Sequence, residues 1–218
     1  MGEDCIEKIR KSRIVICGLG GVGGFVLEAL ARLGVGSFFL VDDDRFEITN
    51  LNRQILSNFN NIGKLKVEEA IDRLKLISDC DVLVSKNKVQ DAILEIEKFE
   101  PNVIIDAIDD LEAKILLIGH FYKKSNIVVS AGAGNRIDPT MVTYADLSKT
   151  SNCSIARILR KRLKSFGIVS GIDVVFSKET PKKEFNNSNI VSSAVFVPMA
   201  FGALISYLTY RLICNSID

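Results

Sequence analysis

Gly18-Leu19-Gly20-Gly21-Val22-Gly23 is followed in order by Asp42, by Asn50-Leu51-Asn52-Arg53-Gln54 and by Lys66. A glycine turn of this spacing permits a tight bend and lets backbone N–H groups close on phosphate oxygens, whose charge favours the start of the next helix. Asp42, about 20 residues on, is the kind of acid that accepts hydrogen bonds from ribose hydroxyls. A dinucleotide site leaves Arg53 and Lys66 without a task. A site that cleaves ATP needs them, because the negative charge on the phosphates must be screened before a carboxylate can attack. The set therefore points to ATP over NAD. Taken singly, each member has a plainer reading. The glycines can simply pack helix on strand, Asp42, Asp43 and Asp44 can form a solvated acidic turn, and Lys64 and Lys66 a solvated helix start. Arg53 can pair with one of those aspartates at the surface, which is worth little. Their order along the chain is what joins them.

These residues need a scaffold, and the flanking sequence supplies one. Residues 13–17 form a short apolar run that reads as a buried parallel strand. Residues 21–33 carry Val22, Val26, Leu27, Leu30 and Leu33 at helical spacing. A second strand over 37–41 ends at Asp42. Helices follow at 66–77, 92–99 and 111–122, with strands at 82–84, 103–106 and 127–130. This alternation predicts an α/β fold with a doubly wound, mostly parallel Rossmann-like sheet, whose ligands sit at the carboxyl ends of the strands. Beyond about residue 138 the rhythm changes to isolated strands at 141–145 and 174–177 around one basic helix, a mixed C-terminal extension of the same sheet. Residues 1–218 are expected to form one domain, with a nucleotide-binding part at about 12–137 and a substrate or dimer part at about 138–218. Residues 181–193, rich in Lys, Asn and Ser, read as a loop.

Composition bounds the rest. A chain of 218 residues buries one full core, and a net charge of +1 places no bulk electrostatic demand for nucleic acid or an acidic surface. Five cysteines without a CxxC pair suggest reduced thiols in the cytoplasm and no zinc ribbon. Nothing at the N-terminus reads as a secretion signal. Residues 194–213 are almost wholly apolar and about as long as a membrane span of 20 residues. A helix covered on both sides by protein has the same composition, and that reading, as core or dimer-interface helix with no membrane, is the expectation.

The ordered ATP set resembles the ubiquitin-activating-enzyme-like superfamily, which includes the ThiF and MoeB adenylyltransferases. The resemblance implies Asp42 on ribose, Asn50, Arg53 and Gln54 around the phosphates, and Lys66 on the phosphates. Asp109, within Ile105-Asp106-Ala107-Ile108-Asp109-Asp110, matches the acid near the magnesium–phosphate region, and Asp44 is a second candidate for that Mg²⁺. The superfamily commonly sends an N-terminal arginine across a dimer to the ATP. Here Arg10 and Arg13 are the nearest substitutes, so nucleotide binding is a safer expectation than turnover.

The later segments Ser130-Ala131-Gly132-Ala133-Gly134-Asn135-Arg136-Ile137-Asp138-Pro139-Thr140 and Ala145-Asp146-Leu147-Ser148-Lys149-Thr150 resemble the tRNA threonylcarbamoyladenosine dehydratase branch, as do Cys153, Ala156-Arg157 and Val175-Phe176-Ser177-Lys178-Glu179. The branch implies a homodimeric enzyme that spends ATP to activate the carboxylate of threonylcarbamoyl-adenosine in tRNA, followed by cyclising dehydration. Arg53, Lys66 and Asp109 would then carry catalysis. Arg157, Arg160, Lys161, Arg162 and Lys164 on one predicted helix are either phosphate contacts or an ordinary solvated face. Cys153 is either a thiol activated at a helix start or a packing residue, and His120 reads as structural. Two alternatives stay open: an adenylyltransferase for a ubiquitin-like sulfur-carrier protein, and a nucleotide-binding regulator without turnover.

Overall fold

The computed structural model describes residues 2–181 and 194–214. The loop expected at 181–193 falls, from residue 182 onward, outside the described residues. Fourteen principal elements follow one another: α1 (Glu3–Lys11), β1 (Arg13–Cys17), α2 (Gly23–Leu33), β2 (Ser37–Val41), α3 (Lys66–Leu74), β3 (Asp81–Ser85), α4 (Val89–Phe99), β4 (Val103–Asp106), α5 (Leu111–Phe121), β5 (Asn126–Ser130), β6 (Val142–Asp146), α6 (Ser154–Leu163), β7 (Asp173–Ser177) and α7 (Phe196–Cys214).

The strands form one sheet in the order β3-β2-β1-β4-β5-β7-β6. All neighbours are parallel except β6, which runs antiparallel to β7 with Tyr144 opposite Val175. The strand order reverses between β1 and β4, and the crevice at such a switch point is where open α/β sheets bind ligands. Successive side chains of a strand point to opposite faces, and both faces of this sheet are covered. Ile14 and Ile16 of β1 belong to one apolar cluster with residues of α1, α2, α3 and α7, while Val15 and Cys17 belong to the other with residues of α4, α5 and α6. Double coverage explains why β1, β4 and β5 read as continuous apolar runs with no alternation.

Helix α7 is apolar on all sides and is the one helix among the described residues long and apolar enough to cross a membrane, with 44% of that span buried in the protein. It lies on α2, α1 and the far half of the sheet. Ser206 and Thr209 donate back to the carbonyls of Gly202 and Ile205, which satisfies both hydroxyls within the helix.

Helix α1 has no counterpart in the elements expected from sequence. It pairs Asp4 with Lys8 and Glu7 with Lys11 outside and buries Ile9. The expectation of five reduced thiols is corrected here. Cys5 of α1 and Cys214 of α7 form a disulfide, with Cα atoms 5.2 Å apart across a sequence separation of 209. The separation hid the pair, and the packing of α1 beside α7 creates it. Cys17, Cys80 and Cys153 are free.

Candidate nucleotide-binding site

The carboxyl ends of β1, β2, β4 and β5 open into a cleft of about 1130 Å³, roomier than the roughly 300–1,000 Å³ that suffices for one small ligand. Strand β1 enters the glycine loop at Gly18, whose φ of +90° suits glycine and whose position leaves no space: an added Cβ would stand 2.7 Å from the Ala107 carbonyl oxygen beyond β4. At Gly23 the Cβ would meet the Gly18 carbonyl oxygen at 1.8 Å. These two glycines are fixed by backbone packing. Gly20 meets only Gln54 at 3.9 Å, so its freedom is left for a ligand. No side chain caps α2, and the first N–H groups of an uncapped helix are ready partners for an anion.

Asp42, at the end of β2, is buried. Its carboxylate accepts from the Leu19 N–H at 2.6 Å and the Asp44 N–H at 2.9 Å, which ties it to the glycine loop. Burial pushes the Asp42 carboxyl above the ordinary aspartate range, against the opposing pull of Lys66 and the two backbone donors. Lys66 starts α3, is itself buried, and reaches Asp44 at 2.7 Å and Asp42 at 3.9 Å. Its own N–H bonds the Asp44 carbonyl at 3.0 Å, and Arg45 pairs with Leu65 in a short bridge. These contacts stitch the end of β2 to the start of α3, so the lysine arrives preplaced.

Between them, the 3-10 turn Ile48–Asn50 begins with a reciprocal capping box between Glu47 and Asn50. Asn50 and Gln54 are buried, and the Gln54 Oε1 has no hydrogen-bond partner among the described residues. Arg53 is held by the Thr49 carbonyl at 2.8 Å and by Asn52 at 3.0 Å. Each sequence-predicted residue therefore reaches the cleft wall, except Gly23, which stands beneath the loop. Asp109 is exposed on the opposite wall, past β4. It lies outside the one acidic group among the described residues, Asp42, Asp43 and Asp44, whose carboxylates fall within 4.8 Å of one another. Its neighbour Asp110 is spoken for, capping α5 through the N–H groups of Glu112 and Ala113.

The sequence reading passed over Lys114. It is buried on the cleft wall, bonded to Asp106 at 2.8 Å and to the Ser130 carbonyl at 2.9 Å. It thereby clamps the ends of β4 and β5 together. Burial raises the Asp106 carboxyl and Lys114 pulls it back, while the Asp106 Oδ2 has no partner among the described residues. A lysine placed eight residues after a strand-end aspartate, on the inward side of an apolar helix, was the available signal. The far wall is the segment from Gly132 to Arg136. Arg136 is buried and donates to the carbonyls of Gly132, Gly134 and Glu179, and the Glu179 carboxylate accepts from Ile137 and Asp138. Cys153 is buried at the N-cap position of α6 and also lines the cleft. His120 does not; it packs on Phe121 and faces Glu97.

A doubly wound sheet with an uncapped glycine-loop helix at its switch point, a buried acid after β2 and two cations from the β2–α3 crossover defines a nucleotide-binding α/β protein built for a polyphosphate. The model of the ThiF family matches residues 1–217, and the chain belongs to that family. It is 34% identical to the tRNA threonylcarbamoyladenosine dehydratase of Bacillus subtilis over 222 residues, covering 94% of this chain and 87% of that protein. The crystal structure of the Escherichia coli tRNA N6-threonylcarbamoyladenosine dehydratase in complex with ATP superposes with a TM-score of 0.91 at 33% identity, covering 98% of this chain and 90% of that one. The molybdopterin-synthase adenylyltransferase of Escherichia coli is 32% identical over 149 residues, 67% of this chain and 60% of that protein.

Proposed function

We propose that the protein is an ATP-dependent tRNA threonylcarbamoyladenosine dehydratase. The observation that carries this reading is the convergence of the glycine loop, Asp42 and the Lys66 ammonium on one cleft, in a chain similar over nearly its whole length to a dehydratase crystallised with ATP. The threonyl carboxylate of the modified adenosine attacks the α-phosphorus of ATP, and pyrophosphate leaves. The acyl-adenylate so formed is attacked from within the same side chain, the ring closes, a proton is lost and AMP departs. The nucleoside is then lighter by one water.

In this reading the Gly18–Gly23 loop and Asp42 hold the adenosine and α-phosphate. Asn50, Arg53, Gln54 and Lys66 surround the β- and γ-phosphates, and Arg53 and Lys66 stabilise the charge on leaving pyrophosphate. Exposed carboxylates on the cleft wall suit a hard cation. Asp109, with Asp44 as the second candidate, would hold Mg²⁺, which screens phosphate charge when bound. The chain acts as one domain, with its nucleotide part at about 12–137 and its substrate and dimer part at about 138–218. Half-exposed Phe196, Met199 and Tyr207 on α7 support a homodimer. A tRNA substrate supports residence in the cytoplasm.

Incubation with Mg-ATP and tRNA bearing threonylcarbamoyl-adenosine, followed by digestion and mass spectrometry, tests this directly. ATP-dependent loss of one water is the expected result. No mass change with demonstrable ATP binding would overturn it. The likeness to the molybdopterin-synthase adenylyltransferase favours one second reading, adenylation of the Gly-Gly tail of a ubiquitin-like carrier protein, which the same assay with such a carrier in place of tRNA would reveal.

A further inference from the structure

Helix α6 begins at the cleft, where Cys153, Ser154 and Ile155 form part of the wall. It buries Ala156, Leu159 and Leu163, and its basic residues divide into two kinds. Arg160 turns inward onto the carbonyls of Leu147 and Thr150, and Arg162 pairs with Glu112 of α5. Both are structural. Arg157, Lys161 and Lys164 are exposed, and among the described residues none of them forms an ion pair with a carboxylate. Their spacing of four and three residues puts them on one helix face, in a row about 10 Å long that leads away from the cleft. Phe166, 64% exposed, lies just beyond the row in the 3-10 turn Lys164–Phe166 that follows α6.

A chain with a net charge of only +1 has no general field to gather a polyanion, so its grip on one must be local. A row of unpaired cations beginning beside the cleft, with an exposed aromatic in the turn beyond it, has the chemistry of a rail for a single RNA strand: charges for successive phosphates and a ring on which an unstacked base can lie. Resting on the dehydratase reading, we infer that Arg157, Lys161 and Lys164 bind the phosphates of the tRNA strand next to the modified adenosine, with Phe166 stacking a flanking base. The rail brings the adenosine in past Ser154 and Ile155 and takes no part in the ATP chemistry.

The test compares the full-length wild type with Arg157→Ala/Lys161→Ala/Lys164→Ala, with Phe166→Ala, and with Arg160→Ala/Arg162→Ala as a control. Affinity for modified tRNA is measured over a range of salt, beside ATP affinity and the thermal melt. Removing three phosphate contacts should weaken tRNA binding by at least about 10-fold and lower the steepness of log K against log salt by about 2, with ATP affinity and melt unchanged. Phe166→Ala should weaken tRNA binding by about 10-fold without changing that slope. The control should lower the melt and leave the slope alone. A triple variant with wild-type tRNA affinity and slope would overturn the rail and leave the dehydratase reading intact. A wild type that binds tRNA through these residues yet never dehydrates it would keep the rail and sink the dehydratase reading.

Discussion

The Lys66 ammonium donates to the Asp44 carboxylate across 2.7 Å, yet the two side chains are 6% and 67% exposed. Only one partner can leave. Lys66 is held by the walls of the cleft, whereas Asp44 can turn its carboxylate to solvent when a phosphate arrives. Lys66→Ala should therefore reduce turnover by roughly 100-fold or more, the scale of losing one preorganised charge donor, with a much smaller change in ATP affinity. Steady-state kinetics alongside calorimetric titration will separate the two, and wild-type turnover in the variant would refute the assignment. Asp44→Asn should tighten ATP binding if Asp44 only holds the place of a phosphate. A loss of Mg²⁺-dependent turnover would instead mark it as a ligand.

Asp42 gives ATP binding a pH dependence with a defined sign. Its carboxyl is raised above the ordinary 3.8 by burial, so ionising it costs the folded protein. That contribution to stability is present below the unfolded pKa and is lost as pH rises through the folded one. Ribose hydroxyls need the ionised form as acceptor. ATP affinity should thus fall on acidification sooner than an ordinary aspartate would dictate, and Asp42→Asn should be weak and flat over the same range. Titration calorimetry at stepped pH reads both.

The glycine loop separates folding from binding. Gly18→Ala forces a Cβ into the Ala107 carbonyl oxygen at 2.7 Å, and the variant should melt well below wild type. Gly20→Ala meets nothing closer than 3.9 Å, so it should keep the wild-type melt while losing ATP affinity. A Gly20→Ala protein that binds ATP normally would remove the loop from the phosphate site.

Lys114→Ala leaves the Asp106 carboxylate, 0% exposed, without its cation. Breaking a buried pair from one side costs about 3–5 kcal/mol, and denaturant unfolding should show a loss of that size. Replacing both partners with apolar residues of similar volume should recover most of it. A single variant as stable as wild type would mean that the clamp between β4 and β5 contributes nothing.

Opening the Cys5–Cys214 bridge should lower the melt. On the chain-entropy account a loop of this length contributes at most about 5 kcal/mol. Reductant and Cys5→Ser should act equally and not additively. A reducing cytoplasm would open the pair, so melts should be compared in both conditions.

Asp42 and Lys66 were legible as cleft residues because each sits at a strand end or helix start that the apolar pattern already marks, and Arg53 because it falls between them in the ordered set. The doubly wound, mostly parallel sheet followed from the same rhythm. Lys114 was not legible, because its meaning depends on Asp106 and on the Ser130 carbonyl of a different strand, a meeting that only the packed sheet creates. The basic helix was visible as composition alone. Which of its cations face outward depends on Thr150 and Glu112, neither of which is on that helix. Helix α1 lacked a long apolar stripe, and its place was set by α7, which follows it only at the far end of the sequence.

Pro198 of α7 packs against Gly21 of the nucleotide loop. The first motif of the chain is therefore finished by an element that leaves the ribosome long after it. A nascent chain can hold β1, α2 and β2 in register and still lack one wall of its phosphate cradle. The cleft is therefore complete only once the C-terminal helix has docked on α2 and brought Pro198 to the loop.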